Sequence, residues 1–303
     1  MKKIILMGAL LLSLTAFGKD YSQYKSDSLI SPKVAKEMIE KDKNVVVIDV
    51  RPKAKYLLGN VDGSYNLWRP DMEAKDGRYG EIVGMRASRA EMEEVLNKMG
   101  VNNDTTLILL GEGLDEYRLW WILDLYGMDN VKIVDGGFNA LKAEGIKVSL
   151  GSGAKEKKGD FRFTAKEDNN TLAQLEDVKA GIKDKNTVII DARSKEEYDG
   201  KVQKKGAFAQ GRIPKAIWIE WTEATNKDTT IKSYDELVEL YSAKGVTPDK
   251  DVIAYCQSAA KSSHTTFVLK ELLGYPNVKN YDGSWIEWSH EVSKGNVEAE
   301  VGE

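Results

Sequence analysis

Val45-Val46-Val47-Ile48-Asp49-Val50-Arg51 reappears as Thr187-Val188-Ile189-Ile190-Asp191-Ala192-Arg193, and this repetition decides the architecture. In both copies a tyrosine follows at the same spacing, Tyr56 and Tyr198. Lys98-Met99-Gly100-Val101 matches Ala243-Lys244-Gly245-Val246, and each precedes an apolar run. Those runs, Leu107-Ile108-Leu109-Leu110 and Val252-Ile253-Ala254-Tyr255, match in turn. Tyr126-Gly127 and Val134-Asp135-Gly136-Gly137 match Leu273-Gly274 and Tyr281-Asp282-Gly283-Ser284. Matches in one order along the chain describe an internal duplication.

Within each copy, short apolar strands alternate with helical stretches. Val45–Ile48, Leu107–Leu110, Val131–Val134, Val188–Ile190 and Val252–Tyr255 lack polar alternation, as strands of a parallel sheet covered on both faces do. Arg89–Met99, Tyr117–Leu125, Tyr234–Ala243 and Ser262–Leu273 carry helical periodicity. The expected fold is α/β: two similar domains, each a small, mainly parallel sheet flanked by helices. The small and charged stretch Gly151–Gly159 reads as the link between them. The expected division is a signal peptide over 1–18, an N-terminal domain over 19–150, a linker over 151–175 and a C-terminal domain over 176–303.

The copies differ most where chemistry could sit. Cys256, the only cysteine of the 303 residues, lines up with Gly111. It ends an apolar strand, is followed by a tight loop through Lys261, and faces the helix that Ser262 opens. Helix-start N–H groups stabilise a thiolate and any anion it attacks. A lone cysteine can also be a small buried hydrophobe. Such a residue would need no special loop, whereas the loop after Gly111 is about two residues shorter and acidic, by the alignment of the repeats. The contrast favours catalysis at Cys256. Ser258, Ala259 and Ala260 are small enough to let backbone approach a ligand as a nest, and Lys261 adds a positive charge. Together with Gln257 and Ser262 they suit covalent catalysis on a small anion.

Composition narrows the classes further. The chain is 42% hydrophobic and 30% charged with a net charge of −4, which suits a soluble globular protein and speaks against nucleic-acid binding. Lys2-Lys3 followed by an apolar run from Ile4 to Leu12 and by Ala16-Phe17-Gly18 reads as a cleaved export signal. The expectation is a periplasmic or secreted protein that begins near Lys19 and has no membrane anchor afterwards. One cysteine permits no intramolecular disulfide, and one cysteine with two histidines is too little for a structural zinc site. His264 and His290 read as surface or packing residues, and the seven tryptophans mostly as core or interface anchors. Trp285 and Trp288 are the two that could line a cleft. There is no phosphate-binding or dinucleotide-binding glycine motif, and no cofactor is expected.

At this point the chain resembles the rhodanese (thiosulfate sulfurtransferase) family in its tandem, two-domain form. Asp191-Ala192-Arg193-Ser194 with Glu196-Glu197-Tyr198 resembles the family's first signature. Gly211-Arg212-Ile213-Pro214-Lys215-Ala216 resembles its Gly-His-Ile-Pro-Gly-Ala segment, Cys256 begins the active loop, and Asn280–Trp288 resembles its C-terminal signature. The resemblance implies sulfane-sulfur transfer. The Cys256 thiolate would take the outer sulfur of thiosulfate, release sulfite, and pass the sulfur from a persulfide to cyanide or a thiol. It further implies that Arg193 holds the loop or an anionic substrate, with Asp191 and Trp285 in support, and that Lys261 favours a sulfonate. Arg212 replaces the usual histidine, Ala259 stands where glycine is common and Lys261 where arginine or threonine is common. Glu197 falls where some two-domain members keep a substrate-binding arginine. A 3-mercaptopyruvate sulfurtransferase would share the fold, but Ser258 and Lys261 point away from it. Polysulfide as donor, or a persulfide carrier that serves a partner protein, fits the same residues. A phosphatase of the related cysteine-loop type would need a longer cradle closed by arginine.

Overall fold

The computed structural model describes residues 19–165 and 170–302; the leader read at 1–18 lies outside them. In the N-terminal half, five strands form a parallel sheet: β1 (Leu29–Ile30), β2 (Val45–Asp49), β4 (Tyr65–Asn66), β5 (Thr106–Leu110) and β6 (Val131–Val134), in the order β1-β6-β5-β2-β4. A small antiparallel pair, β3 (Asn60–Val61) and β7 (Val148–Ser149), stands apart from it. In the C-terminal half, β8 (Leu172–Ala173), β9 (Thr187–Asp191), β10 (Ile217–Trp218), β11 (Asp251–Tyr255) and β12 (Val278–Tyr281) form a second parallel sheet in the order β10-β9-β11-β12-β8. Read from the opposite edge, the first order is the second, so the sequence repeat is a repeat of fold.

The apolar strands are buried on both faces, as their lack of polar alternation requires. Leu107 and Leu109 enter one core while Ile108 and Leu110, a residue out of phase, enter another. Helices α1 (Pro32–Lys41), α2 (Lys53–Leu57), α3 (Arg89–Lys98), α4 (Asp115–Leu125) and α5 (Gly137–Ala143) serve the first sheet. Helices α6 (Leu175–Gly181), α7 (Lys195–Tyr198), α8 (Tyr234–Ser242), α9 (Ala260–Phe267) and α10 (Ser284–Ser293) serve the second. Several start where the sequence supplies a cap. Ser31 accepts from Val34 N ahead of Pro32, and Ser88–Glu91 and Ser233–Glu236 form capping boxes.

One core runs without a break through both halves, joining Leu119, Trp120 and Ile122 of α4 to Phe267 of α9 and to Val268 and Leu269 beyond it. All residues of α4 from Glu116 to Leu125 are buried, as in a helix enclosed on every side. Edge-on aromatic contacts line the seam: Trp120 on Phe267 at 4.8 Å and Tyr117 on His264 at 4.5 Å between centroids. The signature aspartates are each gripped from the other half. Asp135 Oδ1 accepts from Ile231 N at 2.8 Å, while Asp282 accepts from Arg86 Nη1 at 2.9 Å and Arg118 Nη2 at 2.7 Å.

Two expectations shift. The stretch read as linker over 151–175 is not a free tether: Gly151, Ala154, Lys157, Gly159 and Phe161 bond through their N–H groups to Leu57, Ser64, Lys98, Asn97 and Val101 of the first half. Its far end already contains β8 of the second sheet. The helix after Cys256 begins at Ala260 rather than Ser262, because Ala259 adopts left-handed backbone (φ +56°) and acts as N-cap. The same helical stretch passes into a π-helical turn over Val268–Leu272.

Candidate active site

Cys256 follows the C-terminal end of β11, at the centre of the second sheet, where ligands of open parallel sheets are received. It is 1% exposed. The loop Cys256–Ala259 is held from beneath by Ser284, whose Oγ accepts from Cys256 N at 3.2 Å and Ala259 N at 3.0 Å. Asn280 donates to Ala259 O, and Trp285 N and Ile286 N donate to Cys256 O and Gln257 O. These bonds spend the carbonyls. The N–H groups of Gln257, Ser258, Ala260, Lys261 and Ser262 have no acceptor among the described residues. Open N–H groups beside a thiol are what an anion cradle requires. Ser262 adds its hydroxyl, 3.6 Å from Cys256 Sγ.

The residues singled out from sequence fall into two groups. Gln257, Ser258, Ala259, Ala260, Lys261 and Ser262 build the loop and first helical turn around the thiol. Gln257 Nε2 donates to Lys205 O, and Lys261 Nζ lies 3.5 Å from Glu197 Oε2. Arg193, Asp191 and Trp285 stand behind the loop instead. Arg193 is 1% exposed, bonds both Asp191 oxygens, donates to Gly211 O and lies over the Trp285 ring at 4.7 Å. Its Nε and Nη2 are taken up by Asp191 and Gly211 O, so of the two implied roles, holding the loop or an anionic substrate, the geometry favours a structural one that fixes β9 to the Gly211 segment. Asp191 also accepts from Tyr255 Oη at the end of β11. Trp285 and Trp288 are core residues, 2% and 1% exposed, not cleft lining. The same clamp recurs in the first half as Asp49, Arg51 and Gly59 O.

His264 packs between Tyr117 and Trp221 with no partner for either ring nitrogen among the described residues, and burial pushes its pKa down to about 3. It is a neutral packing residue. His290 is nearer the surface, 3.2 Å from Glu81 and against the Phe208 ring.

Sequence reading missed the contribution of the first half. Arg69 Nη2 donates to Ser258 O at 2.7 Å and Ser258 Oγ at 3.1 Å, and Gly84 packs on the same serine. Nothing local marks Arg69, since the contact spans 189 residues of chain. Glu116 was missed as well. In the first half, Phe138 N donates to Gly111 O as Trp285 N does to Cys256 O, which confirms the alignment of Gly111 with Cys256. There the loop closes on its own side chain. Gly113 N and Leu114 N donate to the two Glu116 oxygens at 2.8 and 2.9 Å. Burial pushes the Glu116 carboxyl up to about 7 against these bonds. The second loop leaves its cradle open, and the first fills it.

Among the described residues there is no cluster of metal-ligating side chains, and no helix is long and apolar enough to cross a membrane. The rhodanese-like domain family matches the chain twice, over residues 31–144 and 174–291. A Mycolicibacterium smegmatis protein described as "Putative thiosulfate sulfurtransferase" is 35% identical over 87% of this chain and 95% of its own length. The Thermus thermophilus "Sulfur carrier protein TtuD" is 32% identical over 89% of this chain and 93% of its own. Among solved structures, the anaerobic ergothioneine biosynthesis enzyme of Chlorobium limicola, bound to trimethyl histidine, superposes with a TM-score of 0.78. It is 22% identical, covering 91% of this chain and 71% of that one, and the likeness is one of fold. With two matched domains that account for most of its length, and relatives aligned nearly end to end, this chain belongs to the rhodanese-like family and is a sulfurtransferase with two such domains in tandem.

Proposed function

We propose that the protein moves sulfane sulfur from thiosulfate, or a donor of the same chemistry, to cyanide or a thiol through a persulfide on Cys256. The observation that carries this reading is the set of unaccepted N–H groups around a buried thiol, with Ser262 Oγ beside the sulfur. In the first step the Cys256 thiolate attacks the outer sulfur, a new S–S bond forms, and the donor's own S–S bond breaks as sulfite leaves with the electron pair. The persulfide carries its charge on the terminal sulfur, where the cradle stabilises it. In the second step a thiolate or cyanide takes that sulfur, and Cys256 leaves as the thiolate again. No cofactor or metal enters either step. The non-catalytic half closes the loop through Arg69 and shapes the approach to it.

A carrier role, in which the persulfide is handed to a partner protein, is the second reading. The enclosure of Cys256 and the likeness to a named sulfur carrier favour it. We place the work outside the cytoplasm, on the strength of the basic and apolar start of the chain.

The test is the intact mass of the protein after exposure to thiosulfate, for wild type and Cys256→Ser. One added sulfur in wild type alone, removed by cyanide, is the expected result. No adduct with thiosulfate, polysulfide or mercaptopyruvate overturns the reading. Persulfide discharge that is slow to cyanide but rapid and saturable to a protein selects the carrier role.

A further inference from the structure

Two cations flank the Cys256 loop, and each faces two carboxylates. Arg69, which grips Ser258, bonds Glu73 Oε1 at 2.9 Å and pairs with Asp115 Oδ1 at 3.4 Å. Lys261, in the first turn of α9, lies 3.5 Å from Glu197, and Glu220 caps the short turn whose Trp221 packs on His264 of the same helix. Glu220 is half-buried, and its carboxyl is pushed up by burial, with Glu196, Glu223 and Glu197 adding to the effect and Lys261 opposing it. Glu197 is 2% exposed, and its Oε1 is buried without a partner among the described residues. Partly buried charges are screened far less than those in water. Lys204 and Lys205 stand exposed on the adjoining loop, where the Lys205 carbonyl accepts from Gln257. Exposed charges of that kind are screened over about 8 Å at physiological salt. The two cations beside the loop are thus answered by the carboxylates of Glu73, Asp115, Glu197 and Glu220.

We propose that Glu197 and Glu220 are specificity-determining residues that turn this site away from dianionic donors and toward sulfane-sulfur donors with a single negative charge, of the thiosulfonate or persulfide class. The inference rests on the persulfide reading above and refines its donor. With methanethiosulfonate the step keeps its balance: the Cys256 thiolate bonds the outer sulfur, the donor S–S bond breaks, and methanesulfinate leaves with the electron pair. The loop N–H groups serve the transferred sulfur alike in both donors. The difference lies in the departing group. Sulfite carries a second negative charge into the neighbourhood of Glu197 and Glu220, and sulfinate does not.

The experiment compares kcat/KM for thiosulfate and methanethiosulfonate at physiological salt, in wild type, Glu197→Gln and Glu220→Gln. The ratio between donors cancels any general loss of activity, and the half-buried Glu220 serves if Glu197→Gln fails to fold. The expected result is a three- to tenfold fall in the preference for methanethiosulfonate in each folded variant, carried by a lower KM for thiosulfate. A ratio unmoved in both variants, or moved the other way, overturns the inference. Intact mass separates this from the earlier reading: no sulfur on Cys256 from either donor removes the persulfide itself, whereas loading from both with an unchanged ratio removes only the role of the two glutamates.

Discussion

Glu116 occupies the space that a side chain at position 111 would need: a Cβ built on Gly111 would stand 1.9 Å from Glu116 Oε2. A cysteine at this position must therefore first displace the Glu116 carboxyl. Gly111→Cys should force Glu116 off the Gly113 and Leu114 N–H groups and cost about 2–3 kcal/mol, as buried polar groups lose their partners. Intact mass after thiosulfate should still show one sulfur per chain. Two would mean that the first loop is competent.

The same carboxyl gives stability a dependence on pH. Its folded value of about 7 lies above the ordinary 4.5, so the folded state holds a proton that the unfolded state has released. Stability from this group is full below about 4.5, declines as pH rises through about 7, and amounts to about 3 kcal/mol. Guanidinium unfolding between about pH 5 and about pH 8 should show this decline in wild type and lose most of it in Glu116→Gln.

Asp282 joins the domains with a charge that is fully enclosed. Burial alone would raise its pKa, but Arg118 and Arg86 together hold it below the usual carboxylate value. Asp282→Asn leaves the buried guanidinium of Arg118 and the half-buried one of Arg86 without their counter-charge and should cost about 3–5 kcal/mol. Because Ser284, two residues on, supports Cys256 N and Ala259 N, sulfur loading should slow in proportion. Denaturant midpoints and loading rates, read on the same variant, check both.

His264 is neutral throughout the working range, with its value near 3. His264→Phe keeps an aromatic ring between Tyr117 and Trp221 and removes two nitrogens that have no partner. Stability should be unchanged or raised by up to about 1 kcal/mol, and the pH profile of sulfur transfer should be unaltered. A lost ionisation in that profile would make His264 part of the chemistry.

Much of the fold could be read in advance because a duplication states its pattern twice. The apolar strands and the Asp-x-Arg repeats are local features, and each copy corroborates the other. The loop at Cys256 was legible for the same reason, as the place where the copies part. What escaped notice acts across long stretches of chain. Arg69, Arg86 and Arg118 are ordinary charged residues until folding carries them to Ser258 and Asp282. The family resemblance gave Arg193 either the loop or an anionic substrate to hold. Only burial reveals that Asp191 and Gly211 O already take up its Nη2.

The reciprocal hold on Asp135 and Asp282 bears on how such a chain can change over generations. A duplicated unit that has lost its chemistry is ordinarily free to drift or be deleted. Here the silent half supplies the guanidinium groups that neutralise the working half's aspartate, and the working half returns a backbone donor to the silent one. Neither half is a spare. Shortening the gene to its second half would strip that half of the counter-charges on Asp282 in one event.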